Sequence, residues 1–127
     1  NDMDIINNQG ALEELEKLKH QGLVGAYGMS TKTVEGGTWI VEHTDVVMAT
    51  YNLETSDELP IIQRAHELNK GVVVKKGLQS GHAVNVEDAF RHVLTQPGVS
   101  SMIVGTINPD HLRSNVEMCN RVIAEMG

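Results

Sequence analysis

Segments whose apolar residues recur at helical spacing alternate regularly with short apolar runs along this chain. This alternation restricts the fold more than any other feature of the sequence. Four runs have the composition of strands, at residues 23–27, 46–50, 72–74 and 102–104. Both faces of these runs are apolar, which is typical of parallel strands covered by helices. Successive units repeat after roughly 25 residues, which leaves only short loops between them. The sequence therefore predicts a single αβαβαβαβα region over residues 1–127.

Glycines and capping residues mark the ends of the first three predicted helices. The first has leucines at helical spacing and stops at Gly22. A second is expected over residues 33–43, although Gly36 and Gly37 lower its helix propensity. Thr55 and Glu58 have the spacing of a capping box and predict the start of the third.

The last two predicted helices begin at asparagines. Asn85 is followed by Asp88 three residues later, and Asn108 is followed by Pro109, which fits the first position of a helix. In the final helix, the apolar residues that share one face are expected to be buried, namely Leu112, Val116, Cys119 and Ile123.

Two architectures fit a series of parallel βα units. One is an open sheet with helices on both sides, and the other is four consecutive units of a barrel with helices on one side only. Four units cannot close a barrel, and 127 residues fall well short of the roughly 250 that a closed one needs. In the barrel alternative, edge strands near residues 24–29 and 102–104 would need covering by further chain or by a second copy. The first residue, Asn1, hints at a piece of a longer protein or at a trimmed chain.

Composition excludes several classes of partner. The net charge is −7 with both signs interspersed, so no cationic surface is expected for nucleic acid or for an anionic membrane. No apolar stretch is long enough to span a membrane, and a single cysteine suits a reducing compartment, so a cytoplasmic protein is expected. The six histidines contain no pair at the spacing of a helical metal site, and no metal is expected.

Candidate chemistry lies at the carboxyl ends of the strands, where ligands bind in parallel α/β folds. Residues 28–31, 51–52, 75–81 and 105–106 follow the four predicted strands, and several are glycines or carry hydroxyls, which allows close approach to phosphate oxygens. Glycines and hydroxyl residues are also what tight loops need, so none of these segments is by itself strong evidence for a ligand. The start of the last helix is a candidate anion site, because its free amides lie at the positive end of the helix dipole, although Asp110 would repel an anion.

The adjacent lysines Lys75 and Lys76 form the sharpest chemical feature. One is expected to point into the barrel and the other toward the helices. A strand-end lysine can form a Schiff base when burial suppresses its charge, and it can equally reach solvent or pair with an acidic neighbour. His111, at the start of the last helix, could touch a ligand. We find no paired carboxylates, no serine–histidine elbow and no P-loop pattern.

The four strand ends also form an ordered series of motifs. They are GMST at 28–31, VVMATYN at 46–52, GLQSG at 77–81 and GTINPDHLRSN at 105–115. In order and spacing, the series resembles Gly-x-Ser-Asn, Val-x-Gln-x-x-Tyr-Asn, Pro-Leu-x-x-Gly and Gly-x-x-x-Pro-x-x-Leu-x-x-Asn of the aldo-keto reductases. The resemblance covers about residues 11–124. It implies the C-terminal half of a TIM (β/α)8 barrel, with four parallel strands alternating with helices.

The resemblance implies an oxidoreductase that binds NADP, or NAD, across the barrel mouth and reduces a small carbonyl substrate in the full-length protein. The nicotinamide would lie near Ser30, Thr31 and Lys75, the pyrophosphate near Gly77, Leu78 and Gly81, and the adenosine near Gly105, Thr106, His111 and Asn115. His111 stands where the family often has a phosphate-binding arginine, so the choice between the two cofactors stays open.

Catalytic residues are not expected in this chain, because the family's tyrosine, lysine, aspartate and histidine lie on the first four strands. Tyr27 and Tyr51 do not match that group. The resemblance therefore predicts no reductase activity from this chain alone. Two alternatives remain: a non-catalytic half-barrel that dimerises and binds a phosphorylated ligand, and a Schiff-base lyase that uses Lys75 or Lys76.

Overall fold

Helices and strands alternate throughout the computed structural model, which describes residues 1–8, 10–83 and 85–127. The predicted αβαβαβαβα series is confirmed and is preceded by one further helix. The elements, in chain order, are α1 (Asp2–Asn8), α2 (Ala11–His20), β1 (Gly28–Ser30), α3 (Val34–His43), β2 (Val46–Thr50), α4 (Leu59–Glu67), β3 (Gly71–Lys75), a 3-10 turn (Gln79–Gly81), α5 (Val86–Leu94), β4 (Ser101–Met102) and α6 (Pro109–Glu125).

The four strands form one parallel sheet in the order β1-β2-β3-β4. Right-handed crossovers between consecutive neighbours place every helix on the same face, whereas a doubly wound sheet needs a reversal of strand order. Burial agrees, because along β2 and β3 fully buried side chains alternate with half-buried ones. The helix-covered face holds Val47, Ala49, Val72 and Val74, and the open face holds Val46, Met48, Val73 and Lys75. The half-barrel is therefore the correct one of the two architectures.

The first strand lies further along the chain than its apolar residues predict. Residues 23–27 are not a strand: Leu23 is 70% exposed, and this segment leads from α2 to the edge of the sheet. Pairing begins at Gly28, which packs so closely against Val46 that a side chain would overlap its carbonyl oxygen. Close strand approach, and not local hydrophobicity, decides where β1 starts.

Most of the predicted helix starts are confirmed. The Asn85 side chain accepts from the amide of Asp88 at 3.1 Å, as expected of an N-cap. The capping box of Thr55 and Glu58 is wrong, because α4 begins at Leu59 without a side-chain cap. The buried Glu58 carboxylate instead accepts the Thr50 amide, at the end of β2, at 2.8 Å.

The last helix exposes the face that sequence periodicity predicts to be buried. Leu112, Val116 and Ile123 are each just over half exposed, Cys119 is partly buried, and Val122 is the buried residue of α6. Helix α6 packs mainly on α5, so the other side of its apolar surface has no neighbour in the described residues. None of the helices in residues 1–8, 10–83 and 85–127 combines the length and the apolar character needed to cross a membrane.

Candidate functional site

The carboxyl ends of the four parallel strands lie along one edge of the sheet, and the predicted site residues follow those ends. They form two groups. One surrounds Lys75 at the end of β3, and the other lines a cleft between the turn after β3 and the start of α6. The described ranges bring together no group of three His, Cys, Asp or Glu side chains that could hold a metal.

Lys75 links β3 to β1 across the intervening strand. Its ammonium donates to the Ser30 hydroxyl at 2.9 Å and to the carbonyl of Thr31 at 2.6 Å. Lys75 lies on the open face with Val73, because strand residues two apart share a face. Both contacts use the lysine as a hydrogen-bond donor and hold its side chain at the end of β1.

The other member of the lysine pair leaves the strand. Lys76 has a left-handed backbone (φ 58°), and its side chain is exposed instead of facing the helices, so that part of the prediction is wrong. Its carbonyl accepts from the amide nitrogen of Asn52 at 3.1 Å. A left-handed residue turns the chain sharply, and this is why the two adjacent lysines do not simply alternate between faces.

Thr31 joins the site through its backbone and not through its side chain. The residue is fully buried, and in the described part of the chain its hydroxyl has no hydrogen-bond partner. A side chain at Gly37 would lie 3.0 Å from that hydroxyl, so the hydroxyl faces α3. Thr31 was expected near a nicotinamide, but its side chain packs under α3, so the residue offers its backbone and not its hydroxyl to the site.

Asn52 holds the loop after β2 in place at the carboxyl edge of the sheet, a role that was not predicted from the sequence. It is 5% exposed, and its side-chain oxygen accepts the amides of Glu54 and Thr55 at 3.0 and 2.9 Å. Together with its bond to Lys76, these contacts fix the loop after β2 against the end of β3. An asparagine directly after a strand was the available signal, because its side chain can close such a turn.

The side chains of both tyrosines are engaged away from the predicted site residues. The Tyr51 hydroxyl donates to Gln96 at 3.2 Å, its ring stacks on His92, and burial raises its pKa. Burial and a hydrogen bond to Glu16 raise the pKa of Tyr27 to about 12, and this residue precedes β1, at the opposite edge of the sheet.

A cleft of about 380 Å³ gathers the second group. Of the ten predicted cofactor-binding residues, six line it, namely Leu78, Gly81, Gly105, Thr106, His111 and Asn115. A neighbouring cleft of about 310 Å³ shares Leu78, Gly81 and Gly105 and adds Lys76. Gly77 is buried, and a side chain there would lie 2.8 Å from the sulfur of Met102, so it serves packing and does not line the cleft.

The start of α6 has less capacity for an anion than predicted. Asn108 caps the helix, and its side-chain oxygen accepts the amides of Asp110 at 2.9 Å and His111 at 3.4 Å. The amide of Leu112 donates to the carbonyl of Asn108. Because Pro109 has no amide hydrogen, every donor of the first turn is already engaged. A ligand in the cleft would meet side chains and glycine backbone instead of free helix amides.

The solved structures that match the chain include two that are described as a putative aldo-keto reductase from Pseudomonas aeruginosa. Each has 47% sequence identity and a TM-score of 0.89. The matches cover 97% of this chain and 48% and 47% of those chains, so this chain spans about half of their length. No protein-family model matches the chain, and no curated protein does either.

Proposed function

We propose that this chain, which corresponds to the C-terminal half of an aldo-keto reductase, binds a nicotinamide cofactor, NADP or NAD, at the carboxyl edge of its sheet. The observation that supports the proposal most strongly is the convergence of six predicted residues on one cleft. These residues come from two separate segments, after β3 and after β4, so their proximity is a property of the fold and not of sequence adjacency.

The cleft fits the nucleoside end of such a cofactor better than its phosphates. Its volume lies in the usual range for small-molecule sites, and Gly81 and Gly105 present backbone without a side chain. His111 and Asn115 offer groups for hydrogen bonds to an adenosine or its ribose. Phosphate contacts would come from the neighbouring cleft with Lys76, since the amides of α6 are already engaged.

In the full-length protein, the bound cofactor would supply a hydride to the carbonyl carbon of a small aldehyde or ketone. Ser30 and Lys75 are the polar groups of this chain that lie at the ends of β1 and β3, where the nicotinamide would be held. We assign no catalytic residue here and expect no turnover from the chain alone. The single cysteine supports a reducing compartment, and we propose the cytoplasm.

Calorimetric titration of the 127-residue chain with NADPH tests the proposal. We expect saturable binding that Asn115→Ala weakens by about fivefold or more, the loss of a hydrogen bond of about 1 kcal/mol. Asn120→Ala is the matched control, because this exposed asparagine lies on the same helix outside the cleft. Absence of binding, or equal losses in both variants, would refute the proposed site. Carbonyl-dependent oxidation of NADPH by the chain alone would refute the expectation of no turnover.

A second candidate function is that of a non-catalytic half-barrel that associates with another copy and binds a phosphorylated ligand. In the described residues, β1 pairs only with β2 and β4 only with β3, which leaves two backbone edges to cover. Saturable binding of inorganic phosphate without any binding of NADPH would favour this candidate over the first.

A further inference from the structure

Lys75 places a positive charge in a fixed position at the carboxyl edge of the sheet. Its ammonium donates to the Ser30 hydroxyl at 2.9 Å and to the carbonyl of Thr31 at 2.6 Å. That carbonyl is itself held in place, because Thr31 is fully buried and its amide donates to the carbonyl of Met48 at 3.1 Å. The half-buried lysine is therefore anchored at its charged end, whereas an exposed lysine has a flexible stem that extends into solvent.

Among the described residues, no carboxylate neutralises this charge by direct contact. None of the ion pairs formed within residues 1–8, 10–83 and 85–127 includes Lys75. Asp2 lies close enough for its pKa to respond to Lys75, but burial and the hydrogen bonds from Lys32 and Thr33 affect that pKa more. The two acceptors of the lysine are an uncharged hydroxyl and a carbonyl. The positive charge at the end of β3 is therefore not cancelled at short range.

The two redox forms of a nicotinamide cofactor differ in charge at one place. The ring of the oxidised form is a pyridinium cation, and the ring of the reduced form is a neutral dihydropyridine, while the adenosine and the phosphates are the same in both. A fixed cation beside the ring therefore weakens binding of the oxidised form and has little effect on the reduced form. This repulsion is stronger in a partly buried site than in bulk water, because water screens it less.

We propose that Lys75 makes the cofactor site selective for the reduced form of the cofactor over the oxidised form. The inference rests on the proposed function, which puts the nicotinamide at the ends of β1 and β3, beside Ser30 and Lys75. Such a site takes up the reduced form when both forms are present, which is the preference that a carbonyl reductase needs. It also holds the oxidised product less tightly.

The neighbouring lysine provides a comparison within the same chain. Lys76 is exposed and lines the cleft in which we propose that the phosphates bind. Because the phosphates carry the same charge in both redox forms, Lys76 affects the two affinities by the same factor. The roles of the adjacent lysines are therefore separable: Lys76 contributes to the overall affinity, and Lys75 determines the ratio of the two affinities.

Calorimetric titration of the 127-residue chain with NADPH and with NADP⁺ tests the inference through the ratio of the two dissociation constants. We expect the dissociation constant of NADP⁺ to exceed that of NADPH by about fivefold or more. Lys75→Met should remove most of this difference, and Lys75→Arg, which keeps the charge, should preserve most of it. Lys76→Met is the matched control and should weaken both forms without changing the ratio. Added salt should lower the ratio for the parent chain, because it screens the repulsion.

The ratio separates the charge of Lys75 from its structural contacts, since a general loss of structure lowers both affinities by the same factor. Binding of both forms with a ratio that Lys75→Met leaves unchanged would overturn the inference and leave the proposed function intact. Loss of the preference in Lys75→Arg as complete as in Lys75→Met would also overturn it, because the contacts of the lysine and not its charge would then set the ratio. Binding of neither form would overturn the proposed function and, with it, this inference.

Discussion

The ammonium of Lys75 lies 2.6 Å from the carbonyl oxygen of Thr31, so that a charge on β3 is bound to the end of β1, two strands away. The two residues are 44 positions apart in sequence. This bond and the one to Ser30 cross the open face of the sheet, where the central strand β2 contributes Met48. The lysine therefore holds together the edge at which we propose the cofactor binds.

Replacement of Lys75 by methionine should lower the free energy of unfolding by about 1 kcal/mol, because two hydrogen bonds from a charged donor are lost at a half-buried position. Urea denaturation measures the change. Lys76→Met removes the same charge from the exposed neighbouring residue and should stay within about 0.5 kcal/mol of the parent. Equal effects would show that net charge, and not the link between β1 and β3, is responsible.

Asp2 should make the stability of the chain depend on pH. Its carboxylate accepts the amides of Lys32 and Thr33 and the Thr33 hydroxyl, each at 2.8 Å. Burial alone would raise its pKa, but these hydrogen bonds outweigh burial and hold the pKa of Asp2 below its ordinary value of 3.8. The unfolded chain therefore binds this proton more tightly, so the stabilisation is complete above about pH 4 and is lost as the pH falls through the lower, folded value.

Asp2→Asn should accordingly reduce the free energy of unfolding by about 1–2 kcal/mol at neutral pH, and the difference from the parent should shrink as the pH is lowered below 3.8. Asp4→Asn is the control, because Asp4 lies on the same helix and is exposed. Chemical denaturation across this pH range measures both variants. A difference between Asp2→Asn and the parent that stays constant with pH would contradict the assignment.

Gly28→Ala should destabilise the chain by about 3 kcal/mol, since the new methyl group would overlap the carbonyl oxygen of Val46 and push β1 away from β2. Gly25→Ala tests the same substitution three residues earlier, where nothing lies within 4 Å of the added carbon. That variant should be neutral or slightly stabilised, because alanine reduces the freedom of the unfolded chain. Thermal unfolding of the pair distinguishes close strand packing from a general need for glycine.

The order and type of the elements could be predicted from the sequence because they depend on local patterns. Apolar runs identify β2 and β3, and the side chains of Asn85 and Asn108 cap the helices that follow them. Contacts between residues that are distant in sequence could not be predicted from such patterns. The start of β1 depends on the approach of Gly28 to Val46, and local hydrophobicity misplaces it.

The same distinction between local patterns and distant contacts applies to the candidate site. The segments after β3 and β4 could be located from glycines and from helix-start residues, and they do line one cleft. The spacing of apolar residues on a helix, however, does not show whether another element covers them. It therefore predicts that Val116 is buried, although this side chain is exposed.

Substitution of His111 by arginine should shift the cofactor preference toward the phosphorylated form. His111 lines the cleft and is exposed, so a longer side chain can be accommodated there. A guanidinium group forms paired hydrogen bonds with phosphate, which an imidazole cannot do. We expect about tenfold tighter binding of NADPH and little change for NADH in calorimetric titrations. Asn120→Arg adds the same charge to the exposed surface of α6 and should alter neither affinity beyond a small electrostatic gain. If His111→Arg strengthened NADH and NADPH equally, the additional phosphate would not lie beside this residue, and the adenosine end would have to be placed elsewhere along the edge.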